Sequence, residues 1–250
     1  MKLLKRFLIF LIIFLGLFFI FTPNFFPENL QLKEFLDSSS QSDVFIIFNS
    51  GGWGNTPLEK AEDFAPIIEG IQGALNGLGY NSLVIPYIRT KNNFLGKTSG
   101  ARDFLNSFQS SSEILAEKVE FLTKNFPDKK IIMAGLSSGG ALVEETMEKI
   151  SAKTQNSVYT IAVGTPFWLE PSKLDNVLQL DNERKDSLAA GDIKTLIFTL
   201  VKAPFKWISS KINGESLTFS QALQVPGHDY FWSSPKVGPQ IVTFLKNKFR

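Results

Sequence analysis

From Val44 onward, unbroken apolar runs alternate with stretches whose apolar residues recur every three or four positions. The runs "VFIIF" (44–48), "SLVIPYI" (82–88), "KKIIMAG" (129–135) and "SVYTIAVG" (157–164) predict strands buried on both faces. Between the first two, Phe64, Ile67, Ile68, Ile71 and Leu75 keep helical spacing. Ile114, Leu115, Val119 and Leu122 do the same in a long helix expected over 101–125. "GGALVEETMEKI" predicts a helix directly behind the third run, and "VGPQIVTFLKNKF" predicts a closing amphipathic helix. This order predicts an α/β domain over 44–250, a mostly parallel sheet covered by helices on both faces. Ligands of such sheets collect at the carboxyl ends of the strands. The loops "NSGGWGN", "GLSSGG" and "GTPFW" each follow a strand, so all three are expected at one crevice.

The first residues break this pattern. Lys2, Lys5 and Arg6 precede an uncharged apolar run from Phe7 to Phe21. That run is about 15 residues long, and flanking apolar residues extend it towards the roughly 20 that cross a bilayer. No small-residue cleavage site follows in "TPNFFPEN". Residues 1–27 therefore read as a retained N-terminal signal anchor, a single transmembrane helix, and 28–43 as a linker. The early positive charges favour an inside N-terminus, which leaves the domain outside the cytoplasm.

Composition narrows the chemistry. The formal net charge of +2 gives no basic field for nucleic acid. There is no cysteine, which excludes disulfides, thiol nucleophiles and cysteine-ligated zinc. There is one histidine, His228, in "VPGHDYFW". Gly135 and Gly139 flank Ser137 at G-x-S-x-G spacing, with a strand before and a helix after. A sharp strand-to-helix turn would present a serine hydroxyl outward, and small flanking residues let the strained backbone pack closely. Serine becomes a useful nucleophile only when a base takes its proton.

With these features the chain resembles the α/β-hydrolase superfamily over roughly 44–249, most closely its lipase and esterase members. The resemblance rests on "GLSSG" in its strand–helix context, "FNSGGWG", "IAVGTPFW" and "PGHDYFW". It implies Ser137 as nucleophile and His228 as general base, then general acid. It implies an oxyanion hole from the Ser138 backbone N–H and a second N–H from Gly52 or Trp53. No metal or organic cofactor is implied. The acid is expected after a short strand at 176–180, where Asp175, Asp181, Glu183, Asp186 and Asp192 are available. Asp186 matches the superfamily position best and Asp181 second; Asp229 is discounted because side chains adjacent in sequence diverge.

Residues 187–215 read as a possible lid or cap. Ile193, Ile197, Leu200, Val201, Phe205, Ile208 and Ile212 form an apolar stripe, and Pro204 is expected to kink or break the helix. The stripe suits a core-covering helix, a lid over an acyl pocket, or a face on a bilayer. The expected activity is hydrolysis of a carboxylic ester on a small acyl-containing or lipid substrate. Two alternatives remain open: a non-catalytic membrane-tethered binding module on a hydrolase scaffold, and an envelope amidase or peptidase.

Overall fold

The structure, a computed structural model, describes residues 41–215, 217 and 219–249. The expected anchor and nearly all of the expected linker lie outside these residues. Among the described residues no helix is long and apolar enough to cross a membrane.

The elements run β1 (Val44–Asn49), α1 (Ala65–Gly77), β2 (Ser82–Tyr87), α2 (Phe94–Leu105), α3 (Gln109–Asn125), β3 (Lys130–Leu136), α4 (Ser138–Lys149), α5 (Ala152–Gln155), β4 (Val158–Val163), β5 (Val177–Leu180), α6 (Ser187–Ala190), α7 (Ile193–Ile212), α8 (Phe219–Ala222) and α9 (Gly238–Lys248). The strands form one parallel sheet in the order β2-β1-β3-β4-β5. In register, Asn49 lies beside Gly135 and Gly135 beside Ala162, so the loops after β1, β3 and β4 leave the same sheet edge.

Apolar residues cover both faces of each central strand because each face has its own core. Val44, Ile46, Phe48, Ile132 and Ile161 pack beneath α1 and α9 with Ile67, Ile71, Ile241 and Leu245. Phe45, Ile47, Ile131, Met133 and Ala162 pack on the other side with residues of α3 and α4, among them Leu115, Val119 and Leu142. Alternation across the pleat is therefore present, but it separates two apolar layers rather than core from solvent.

One sequence expectation needs correction and a second is narrowed. The helix expected over 101–125 is two helices. Ser107 and Phe108 turn left-handed between them, with φ of 52° and 58°. The Phe108 N–H closes the turn on the Asp103 carbonyl at 2.7 Å, and its ring is fully buried beneath the Arg89 guanidinium. Burial of that ring overrides the helical periodicity. Pro204, in turn, does not end α7, which continues from Ile193 to Ile212. The carbonyl that a proline leaves without its helical donor belongs to Leu200; both residues are exposed, so water can reach it.

Glu144 is a buried carboxylate in α4. One oxygen accepts from the Gln179 amide of β5, and the Thr165 hydroxyl lies beside the carboxyl. Burial pushes its carboxyl up to about 7 from 4.5. A raised folded value means that the protonated form is favoured by the fold. The contribution of Glu144 to stability is thus greatest below about pH 4.5 and is lost as pH rises through about 7. Glu144→Gln should abolish that loss, on the order of 2–3 kcal/mol. Denaturant unfolding between about pH 5 and pH 8 reads it; a wild-type curve parallel to that of the variant would refute the assignment.

Candidate active site

The chain passes from β3 into α4 through one residue, Ser137. Its backbone is at φ 55°, ψ −116°, a conformation that L-residues rarely adopt. The surroundings hold it there. The Ser137 N–H donates to the Val163 carbonyl of β4 at 2.7 Å, and α4 starts at the next residue. Close backbone approach explains the flanking glycines. A Cβ on Gly135 would lie 2.2 Å from the Gly139 carbonyl oxygen, and one on Gly139 would lie 2.3 Å from that of Asn49. Neither leaves room for alanine.

The loop after β1 meets this corner directly. A Cβ on Gly51 would be 3.2 Å from the Leu136 carbonyl oxygen and 3.6 Å from the Ser137 Cβ. Residues 51–54 form a turn closed by the Gly54 N–H on the Gly51 carbonyl. That bond uses neither the Gly52 nor the Trp53 N–H, the two candidates for the second oxyanion donor. Arg89, immediately beyond β2, locks the arrangement. It is 2% exposed and donates through Nη2 to the Gly52 carbonyl at 2.9 Å and to Ser138 Oγ at 3.0 Å. Nη1 donates to the Ser138 carbonyl at 3.3 Å. Ser138 Oγ itself donates to the Gly52 carbonyl at 2.7 Å. One buried cation thus joins the start of α4 to the Gly51–Gly54 turn. Burial lowers its pKa to about 10, which still leaves it charged near neutrality.

Asp186 forms the second half of the constellation. It is fully buried, and its two oxygens are divided between structure and imidazole. Oδ1 caps α6, accepting from Leu188 N–H at 2.8 Å and Ala189 N–H at 3.3 Å. Oδ2 accepts from the Tyr230 hydroxyl at 2.6 Å and lies 2.6 Å from His228 Nδ1. Burial opposes the charge on Asp186. The hydrogen bond from His228, its charge, and the bonds from Tyr230 and Leu188 outweigh that penalty, and the carboxyl is held below its usual range. In the neutral ring, an ionised Asp186 makes Nδ1 of His228 the donor and leaves the lone pair on Nε2.

Backbone contacts join the histidine loop to the acid loop. The Ser187 N–H donates to the Pro226 carbonyl at 3.1 Å, and Asn182 Nδ2 donates to that of Gly227 at 2.9 Å. Asn182, Glu183 and Arg184 take successive left-handed conformations, compressing the path from β5 to Asp186. On the sheet side, a Cβ at Gly164 would lie 2.7 Å from His228 Cε1. Gly164 directly follows Val163, whose carbonyl accepts the Ser137 N–H. The imidazole and the serine corner therefore flank consecutive residues at the end of β4.

The remaining candidates lie elsewhere. Asp181 accepts from the Glu183 N–H at 3.0 Å and is exposed, away from the imidazole contact. Asp192 caps α7 through Thr195, and Glu183 pairs with Lys236. Asp175 is exposed, and Asp229 is exposed and bound by Gln224. Trp53 is half exposed, and its carbonyl accepts from the Thr90 hydroxyl at 2.6 Å. Sequence reasoning missed Tyr230, Arg89 and the Ser138 hydroxyl. Tyr230 stands two residues beyond His228, the spacing that puts side chains on one side of an extended segment. Arg89 is a charge just beyond a buried strand in a sheet whose carboxyl edge holds the site. The Ser138 hydroxyl had no such signal.

A serine at a strained corner, backbone donors beside it and an oriented imidazole are the parts that acyl transfer requires. No protein-family model matches the chain, and no curated protein matches it. Among solved structures, a Trichoderma reesei cutinase in complex with a phosphonate inhibitor is similar at 14% identity and TM-score 0.52, covering 88% of this chain and 85% of that one. An acetylxylan esterase is similar at 14% identity and TM-score 0.47, covering 84% of this chain and all of that one. A cutinase-like protein from Cryptococcus sp. is similar at 13% identity and TM-score 0.44, with 84% and 97% covered. The last two are too distant in shape to bear on the question. The Trichoderma cutinase shares the α/β fold with this chain, and at such identity the likeness extends to the fold alone.

Proposed function

We propose that the protein is a serine hydrolase that cleaves carboxylic esters through an acyl-enzyme on Ser137. The observation that carries this reading is the Asp186–His228 pair at the sheet edge where Ser137 is held at a strained strand-to-helix corner. His228 Nε2 takes the hydroxyl proton as Ser137 attacks the ester carbonyl, then delivers it to the leaving alcohol. Water activated by the same nitrogen releases the acid. Asp186 keeps Nδ1 protonated and stabilises the imidazolium, and Tyr230 fixes the shared oxygen. The Ser138 N–H, with that of Gly52 or Trp53, receives the developing oxyanion. The buried charge of Arg89 holds those two segments together. An inhibitor-bound cutinase of the same fold supports this choice of substrate class. Residues 1–27 tether the enzyme to a membrane in this reading.

The decisive test is labelling of the full chain by a fluorophosphonate probe. Wild type should label, whereas Ser137→Ala and His228→Ala should not. Labelling that persists in Ser137→Ala would remove the nucleophile from this scheme.

For the acid, Asp186→Asn keeps an Oδ1 acceptor for the α6 cap but turns an amide towards the imidazole. Turnover of a soluble nitrophenyl ester should fall by on the order of 10⁴-fold, while Asp181→Asn leaves it unchanged. The reverse order of effects would reassign the acid to Asp181.

Arg89 is a positioning residue in this scheme. Arg89→Lys should lower kcat by on the order of 10²-fold with little change in KM. Circular dichroism should stay native. An equal rise in KM with kcat preserved would show that Arg89 serves substrate binding instead.

A further inference from the structure

Helix α7 is turned inside out relative to an ordinary surface helix. Its buried positions are Ala203 and Ser210, seven residues apart and only 0% and 3% exposed. Its large apolar side chains point the other way. Ile197, Val201, Phe205, Ile208 and Ile212 follow one another at steps of three and four, and are between 48% and 80% exposed. A helix normally buries such a stripe, and a contiguous apolar surface of this kind marks an interaction face. Two further exposed aromatics lie near the start of α7. Phe167, 40% exposed, packs against Gly191, and Trp168 beside it is 41% exposed.

Charge decides between possible occupants. From Ile193 to Gly214 the chain carries Lys194, Lys202, Lys206 and Lys211 and no acidic residue. A second copy would set these lysines against their own equivalents. The first 27 residues carry Lys2, Lys5 and Arg6 and likewise no acid, so they offer no complement either. An apolar surface rimmed with negative charge complements both properties, and a bilayer with anionic headgroups has that chemistry. We propose that α7 is a membrane-docking helix that lies in the interface of an anionic bilayer, with the Val201–Phe205–Ile208 stripe towards the acyl chains and the lysines at the headgroups. It begins a few residues beyond Asp186, so docking would hold the carboxyl edge of the sheet close to the lipid surface. The inference is independent of the Ser137 chemistry.

The cysteine-free chain suits a direct test. Single cysteines are introduced by Val201→Cys, Ile208→Cys and, as a control on the exposed short helix preceding β4 at the opposite sheet edge, Lys153→Cys. Each full-length variant is nitroxide-labelled and reconstituted in vesicles of phosphatidylcholine with phosphatidylglycerol. Collision with oxygen and with a water-soluble nickel chelate gives depth. The labels at 201 and 208 should lie about 5–10 Å below the headgroup boundary, with several-fold less nickel access than the label at 153. Adding Lys202→Glu and Lys206→Glu should restore nickel access. Labels at 201 and 208 as open to nickel as that at 153 would overturn the proposal. So would labels shielded from both reagents, which would indicate cover by residues 1–40. Dipolar broadening between labels would indicate a second copy and overturn it equally. Immersion unchanged by the glutamates would overturn the electrostatic basis of the choice. The readout is depth rather than turnover, so a failure of the hydrolase reading leaves it intact.

Discussion

The passage of β3 into α4 within a single residue is the constraint around which the rest of the site is arranged. Ser137 cannot relax from its unfavourable backbone conformation, because its N–H is bonded to β4 and α4 begins immediately after it. The start of α4 in turn lies so near the end of β1 that Gly139 has no room for a side chain. Strain at one residue persists only where several independent contacts fix it. Here β1, β3, β4 and α4 all contribute. The Gly51–Gly54 turn then has a rigid wall to pack on, and Arg89 needs only to join two elements that already meet.

The acid side is built on a different principle. No strand carries Asp186 or His228; both stand on loops beyond the sheet. Their mutual position comes from backbone hydrogen bonds between the loops and from the short left-handed path through Asn182, Glu183 and Arg184. Left-handed residues of this kind each carry a cost of about 1 kcal/mol or more. The carboxylate offsets part of it, accepting four hydrogen-bonding contacts while fully buried.

How much of this was legible in the sequence follows from the physics of each part. The strands were readable because burial on both faces leaves unbroken apolar runs such as "VFIIF". The serine corner was readable because only glycine tolerates the contacts at 135 and 139. Asp186 was separable from Asp181 only by analogy of position; in the structure, the imidazole contact and burial distinguish them. The break at Ser107 and Phe108 was invisible because it depends on Arg89 and core residues distant in sequence. The outward stripe of α7 was visible as a pattern, but spacing alone does not say which way a helix faces. Ala203 and Ser210, the small residues on its packed side, give the direction only once contacts are known.

The division of Asp186 between two tasks has a consequence for how the sequence can vary. One oxygen starts α6 and the other holds the imidazole, so a substitution at position 186 disturbs two structures at once. Glutamate would keep the charge but would shift both oxygens by a methylene, and could not serve the helix start and the ring together. Asparagine would keep the helix start and misorient the ring. The position therefore has no neutral neighbour in sequence space, whereas Asp181, Asp175 and Asp229 can drift.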